Sequence, residues 1–480
     1  MSRQQFSSRN NIGQVLTFQK SGSTASFNPL VVYNSGSTRV SWRLNNGSET
    51  IQIAGNSLSY TGFTSDTNIR TIEMRGNGFG LFNQIALDGR KIYGNLDLST
   101  IPNIGGSLSF GQNSGLTGIT HSPSNKVITT YQAFQTSLTG NLDLSPLSGL
   151  GGIVQINANP YLTGVTNPNS SQTIFGYFVN QCNLTGNLDL TPLSGLGGSL
   201  WVHQNPPLTG LTHSPSSNNF TAYWVYNCNL TGNLDLTPLS GLGGSFQVQN
   251  NPLLTNITHT QSSQNFSNYL AYSCNLTGNL DLTPLSGLGG DFRVNNNPFL
   301  TGITHSVSLN NFTLYRSNNC GLTGTLDLRN LTKLGSATTG STSYLRLDGN
   351  SSLTNILLPT STQYFKNENN GLGNRAFSLY GSNLDYINFT TLSGATLVSG
   401  TTEGRAGIDL QNNNMITADV NHTLVDFSGN ATYNPTGWSN VNLNISGTNG
   451  APDSGSGGYN GIGARDFLTG SPYNWTITHT

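Results

Sequence analysis

Charge is the scarcest commodity in this chain. Of 480 residues only 19 are Lys or Arg and 20 are Asp or Glu, 8% together, where ordinary soluble domains carry about 25%. No basic run exists that could neutralise a row of phosphates, so nucleic-acid binding is not expected. Glutamate is absent between Asp97 and Asp327, and the aspartates there are almost all copies of one position. That stretch offers no pair of unlike carboxyls for acid–base work. No run approaches the ~18 apolar residues that would cross a bilayer, so membrane insertion is not expected. The opening "MSRQQFSSRNNIGQVLTFQK" lacks the apolar core of a secretory signal. If the protein works outside cells, the expectation is another export route or incorporation into a particle.

What replaces charge is glycine, at 58 residues, with Asn, Ser and Thr. Low charge with few aromatics can mean disorder, but the apolar residues here are strictly periodic. "CNLTGNLDLTPLSGLGG" stands at 182–198, at 228–244 and at 274–290 without a change. Leu-Asp-Leu recurs with its acid at Asp97, Asp143, Asp189, Asp235, Asp281 and Asp327, every 46 residues. Each 46-mer divides into two unequal halves, "FTAYWVYNCNL" and "SLWVHQNPPL", with Cys228 and Asn205 at the same keyed place. That place recurs every 23 residues through Asn159, Cys182, Asn205, Cys228, Asn251, Cys274, Asn297 and Cys320. One such coil cannot bury its apolar face alone, so identical coils must stack and share a core.

The frame L-x-x-L-x-L-x-x-N/C-x-L resembles that of leucine-rich-repeat proteins. The "LTGNLDL" continuation is similar to the plant-type subclass, in which a second short strand follows. The resemblance covers about residues 86–450, loosening after Cys320 into "LRLDGNSSL", "FSLYGSNL", "IDLQNNNM" and "VDFSGNA". It implies an all-β, right-handed solenoid with a parallel sheet and few helices. Ahead of it, residues 14–77 read as short strands between Gly, Ser and Asn turns. There "VSWRLNNGSETIQIAG" resembles polycystic-kidney-disease-type β-sandwiches. The expected organisation is an arm (1–13), a small β domain (14–77), the solenoid (78–450) and a cap (451–480) made of a short helix and a last strand. The ending "GYNGIGARDFLTGSPYNWTITHT" resembles leucine-rich surface and virion proteins of Bacteroidota and their phages.

Three columns invite chemical readings. Cys182, Cys228, Cys274 and Cys320 are two coils apart, roughly 9.6 Å, beyond the ~7 Å Cα separation that a disulfide allows. They are expected as reduced, buried ladder residues alongside Asn205, Asn251 and Asn297. His121, His213, His259 and His305 form a second column, with Asn167 in the missing place. At that spacing no two can share a zinc, and satisfied structural histidines pointing inward or to the rim are expected. The aspartates form a single file, whereas calcium needs six to eight converging oxygens. They read as solubilising carboxylates. No metal and no cofactor are expected.

The middle residue of each L-x-L points away from the core. While the core columns repeat, this face changes from coil to coil. It places Phe178, Trp201, Trp224, Arg293, Arg316 and Arg346 in one row and His203, Tyr226 and Tyr272 in the next. Aromatics beside amides and arginines suit sugar stacking or a protein partner; the plainer alternative is that they cover one another. Symmetry breaks again at Asp409 and Asp426, each read as the outward residue between two keyed hydrophobics. On adjacent coils they would lie about 5 Å apart, the separation of a retaining glycosidase. The leading expectation is a non-enzymatic fibre, spike or decoration protein of a phage or phage-like particle. It would bind a host glycan or receptor, join other virion or surface proteins through its N-terminal β domain, and could form a homo-oligomer. A cell-surface leucine-rich adhesin and a polysaccharide-degrading tailspike are the alternatives.

Overall fold

The computed structural model describes residues 82–99, 101, 103–334, 344–359, 377–392, 406–436 and 438–479. It also gives the pairing of strands Gln14–Lys20, Leu30–Tyr33, Arg39–Leu44, Thr50–Ile53, Arg70–Gly76, Tyr364–Lys366 and Thr396–Val398. The expected arm, 1–13, lies outside the described residues. The chain is mostly β, a parallel β-solenoid with two α-helices among the described residues. It divides into two compact units, Met1–Phe220 and Thr221–Thr480.

The first unit opens with β1 (Gln14–Lys20), β2 (Leu30–Tyr33), β3 (Arg39–Leu44), β4 (Thr50–Ile53) and β5 (Arg70–Gly76). β6 (Phe82–Ala86), β7 (Ile92–Leu98), β8 (Gly106–Ser109) and β9 (Gly115–His121) begin the coils. One sheet runs β4-β3-β5-β1-β7-β9, antiparallel as far as β7 and parallel from β7 to β9. In the other sheet β2 lies antiparallel to β6, which is parallel to β8. The first coil's strands thus have their edges occupied by β1 and β2, which removes an open template for aggregation. Both sheets cross the domain boundary expected at residue 77.

Further along this unit, strands Ile128–Gln132, Leu150–Gln155, Ile174–Phe178 and Leu196–Trp201 continue the main sheet in parallel. Register aligns Tyr131, Val154, Tyr177 and Leu200, all fully buried. The second strands pair only two by two, Gly140–Asp143 with Leu162–Thr166 and Gly186–Leu190 with Leu208–His213. A 46-residue repeat is therefore two 23-residue coils joined through their second strands. The "GLGG" ending has a steric cause. Gly198 has φ +62°, and a Cβ there would lie 2.0 Å from the Phe175 carbonyl oxygen in the preceding coil.

In the second unit the main-sheet register stacks Tyr223, Phe246, Tyr269, Phe292 and Tyr315. Successive ring centroids lie 5.4, 4.8, 5.6 and 4.8 Å apart. Each contact of this kind adds about 0.5–1.5 kcal/mol beyond the area it buries. The sheet then continues through Tyr344–Arg346, Phe377–Ser378, Ala406–Asp409, Val441–Asn444 and Thr476–Thr478, each parallel to the next. Helix α1 (Thr417–Tyr433) follows the third of these strands, and α2 (Gly461–Thr469) precedes the last. α1 overturns one expectation: "LVDFSGNA" is helix and not another coil strand. Val420, Leu424, Phe427 and Ala431 are buried along one face of it.

The keyed asparagines form hydrogen-bonded ladders inside each unit. Asn205 donates to the carbonyls of Val202 (2.7 Å) and Val179 (3.0 Å) and accepts from the Leu184 N–H at 3.1 Å. Asn251 and Asn297 repeat all three bonds with their own neighbours. All three are fully buried. In the alternate coils a cysteine takes this place. Cys182, Cys274 and Cys320 point their thiols at the carbonyls of Ile156, Val248 and Val294, at 3.5, 3.4 and 3.2 Å, and Cys228 points at Tyr226 at 3.6 Å. All four cysteines are buried thiols outside any disulfide. Just before each ladder residue the chain turns through a left-handed residue, such as Gln204 (φ 59°), Asn227 (φ 53°) and Asn250 (φ 57°). Asparagine tolerates that conformation better than most residues.

Candidate functional site

The varied row lies on the outer side of the main sheet in both units, because its members alternate with core residues along each strand. In the first unit Phe178 and Trp201 are register partners. Their rings pack at 4.7 Å, and Trp201 lies 6.4 Å from His203. Phe178 and Trp201 are partly buried, whereas His203 is only 7% exposed, and burial lowers its pKa. His203 therefore underlies this cluster more than it presents itself to solvent.

In the second unit Trp224, Tyr226 and Tyr272 are partly buried. The Trp224 indole donates to Ser245 Oγ at 2.8 Å. Farther along, register sets Arg293 against Arg316 and Arg316 against Arg346. Arg293 grips Asp291 through Nε (2.8 Å) and Nη2 (2.6 Å), and Arg346 Nε lies 3.4 Å from Asp348. The Arg316 guanidinium lies 4.6 Å from the centre of the Tyr344 ring. Burial, then the flanking Arg293 and Arg346, pull its pKa down to about 10, against an opposing pull from Asp291.

The two candidate acids part company. Asp409 ends strand Ala406–Asp409 and sits in the outer row in register with Ser378, yet it is 2% exposed and accepts from the Gln411 N–H at 3.1 Å. Asp426 is in α1, 5% exposed. It accepts from the Tyr386 hydroxyl at 2.6 Å and the Phe389 N–H at 3.2 Å. Burial pushes its carboxyl up, against the pull of those bonds. A strand carboxylate and a helix carboxylate, both buried, do not make the exposed pair of neighbouring coils that the sequence suggested. The Asp426 group is a fastening. His422 stacks between Tyr386 and Tyr459 at 3.7 and 3.9 Å, tying α1 to the segments on either side.

The histidine column is inward, and three of its members are paired with tyrosines. Nε2 of His121, His259 and His305 meets the hydroxyls of Tyr131, Tyr269 and Tyr315. The aspartate column is exposed and locally bonded. Asp189 accepts from the Thr191 N–H and hydroxyl and from the Thr212 hydroxyl. Partial burial alone would raise its pKa, but these bonds outweigh that and hold the carboxyl below its usual range. Sequence reasoning missed the polar grooves of about 280 and 290 Å³ between successive second-strand pairs, lined by Thr120, Asn141 and Asp143 and by Thr166, Asn187 and Asp189. Their polar groups already bond one another, as Asn141 Nδ2 does to Thr166 Oγ1 at 2.9 Å. No group of three or more His, Cys, Asp or Glu suited to a metal occurs among the described residues. The chain matches no protein-family model, no curated protein and no solved structure.

Proposed function

We propose that this is a leucine-rich-repeat protein serving as a non-enzymatic adhesive component of a phage or phage-like particle, a fibre, spike or decoration protein. Its main-sheet face binds a glycan or protein on the host surface. One observation carries the reading: the core tyrosines and the Asn/Cys ladder recur every second coil while the outer row changes, from Phe178 and Trp201 to Trp224 to Arg293, Arg316 and Arg346. A purely structural stack gains nothing from such variation. Partly buried aromatics with amide and guanidinium neighbours are what recognition surfaces concentrate. The asparagine ladders support the family assignment, since the keyed asparagine holds the coil turns together. The strands β3 to β5, which belong to no coil, are proposed as the end that joins other virion proteins.

Two measurements test this. Mass spectrometry of purified phage particles should find the chain in stoichiometric copies; finding it only in a host envelope fraction would make it a cell-surface adhesin. Labelled protein should bind host cells, and Trp201→Ala with Trp224→Ala should weaken that binding about ten-fold or more, as loss of aromatic anchors does. Unchanged binding by the double variant would remove the main-sheet face from the proposal.

A further inference from the structure

The arginine row differs in kind from the rest of the outer face. Three consecutive main-sheet strands place Arg293, Arg316 and Arg346 at matching register, with neighbouring strands about 4.8 Å apart. Like charges set directly opposite one another on a sheet destabilise it. In a chain with only 19 basic residues, three at adjacent rungs are a costly arrangement for folding alone. Asp291 and Asp348 each lie against one of the outer two arginines, so the row retains a net positive charge. Each guanidinium presents a planar fork of donors that matches carboxylate and sulfate oxygens.

Two positions past the ends of these strands stand Asn295, Asn318 and Asp348. These coils therefore show amides and charge where a protein partner would need an apolar centre. We propose that the coils carrying Arg293, Arg316 and Arg346 bind an acidic saccharide bearing carboxylate or sulfate groups; this rests on the main-sheet reading above and adds the charge of its ligand. Arg316 is the central contact, held over the Tyr344 ring. Asn295 and Asn318 supply hydrogen bonds to hydroxyls, and Asp291 tempers the affinity by occupying Arg293.

The test uses the full chain, with polygalacturonate and dextran sulfate as probes and neutral dextran as reference. Acidic polymers should bind at least about ten-fold tighter than dextran, Arg316→Gln should lose about ten-fold, and Asp291→Asn should gain several-fold by freeing Arg293. Salt of about 0.5 M should weaken all of this by screening. A misfolded variant cannot produce the gain, so opposite signs for the two substitutions identify the site. Equal affinity for dextran, or both substitutions shifting affinity in the same direction, would overturn the proposal. So would polyglutamate or single-stranded DNA competing as well as polygalacturonate. If Arg316→Gln leaves acidic-polymer binding intact while the tryptophan double variant still loses host cells, the charged site is wrong and the main-sheet reading stands. If acidic polymers bind through Arg316 yet host cells are not bound, the charged site stands and the host-surface reading fails.

Discussion

The Tyr177 hydroxyl donates to Asn167 Oδ1 at 2.8 Å, in the place where Tyr131, Tyr269 and Tyr315 meet histidines at 2.9, 3.0 and 2.8 Å. An amide oxygen can only accept. A neutral imidazole with its proton on Nδ1 can play the same part, Nε2 accepting from the tyrosine. In every case the partner lies ten residues on, across the turn between the second strand of one coil and the main strand of the next.

That pairing makes stability pH-dependent. Burial lowers the pKa of His121, His259 and His305 to about 4, against an opposing pull from the nearest aspartates. An unfolded histidine titrates near ~6.5, so between these values the unfolded chain binds more protons. Stability is full above about pH 6.5 and falls as pH drops towards about 4, by at most about 3 kcal/mol per histidine. His305→Asn, which copies Asn167, should stay within about 1 kcal/mol of the parent at neutral pH, because the tyrosine keeps its acceptor. It should also show a shallower acid decline. Urea unfolding at several pH values checks this, and an identical decline in the variant would rule out the assignment for His305.

Asn205→Ala would strip a buried N–H and two carbonyls of their partner. The cost should be about 3 kcal/mol. Asn205→Cys should cost less, since a thiol fills this place in alternate coils and meets one of the same carbonyl positions. In a stacked structure the loss is felt locally first, so amide hydrogen exchange at Leu184 is the readout alongside global unfolding. Equal unfolding free energies for the two variants would mean that the thiol contributes nothing there.

Burial pushes the Cys182 thiol up to about 11 and those of Cys274 and Cys320 up to about 12. The thiolate is the reactive form. Native protein at mildly alkaline pH should therefore show no fast-reacting thiol, and denatured protein without reductant should show all four. A fast native thiol would mean a coil that opens readily.

Asp426→Ala should unfasten α1 from Tyr386 and Phe389, with a loss of about 2–4 kcal/mol for breaking a buried hydrogen-bonded carboxyl. Asp426→Asn keeps an acceptor for the tyrosine and should lose less. The parent should cleave no glycan. Cleavage that disappears in Asp409→Asn with folding intact would return the tailspike alternative to consideration.

The coils were legible because a keyed apolar frame every 23 residues is a local property, visible without knowing what it meets. Helix α1 was not. In "LVDFSGNA", Val425 and Phe427 alternate as a strand would, but Val420, Leu424, Phe427 and Ala431 also keep helical spacing; that longer pattern was the available signal. Of the N-terminal strands β1, β3, β4 and β5 were legible as strands and β2 was not, and nothing foretold that β1 and β2 would lie antiparallel against the first coil.

By itself, then, the sequence determined the coil, its ladder and which side of each strand is buried, since alternation and keyed spacing follow from backbone geometry. Tertiary structure decided the partners: tyrosine for His121, His259 and His305, α1 for Asp426, and Arg346 for Arg316 across a 30-residue interval that departs from the 23-residue frame. Those meetings depend on how turns and insertions return the chain to the stack, and no local pattern encodes that.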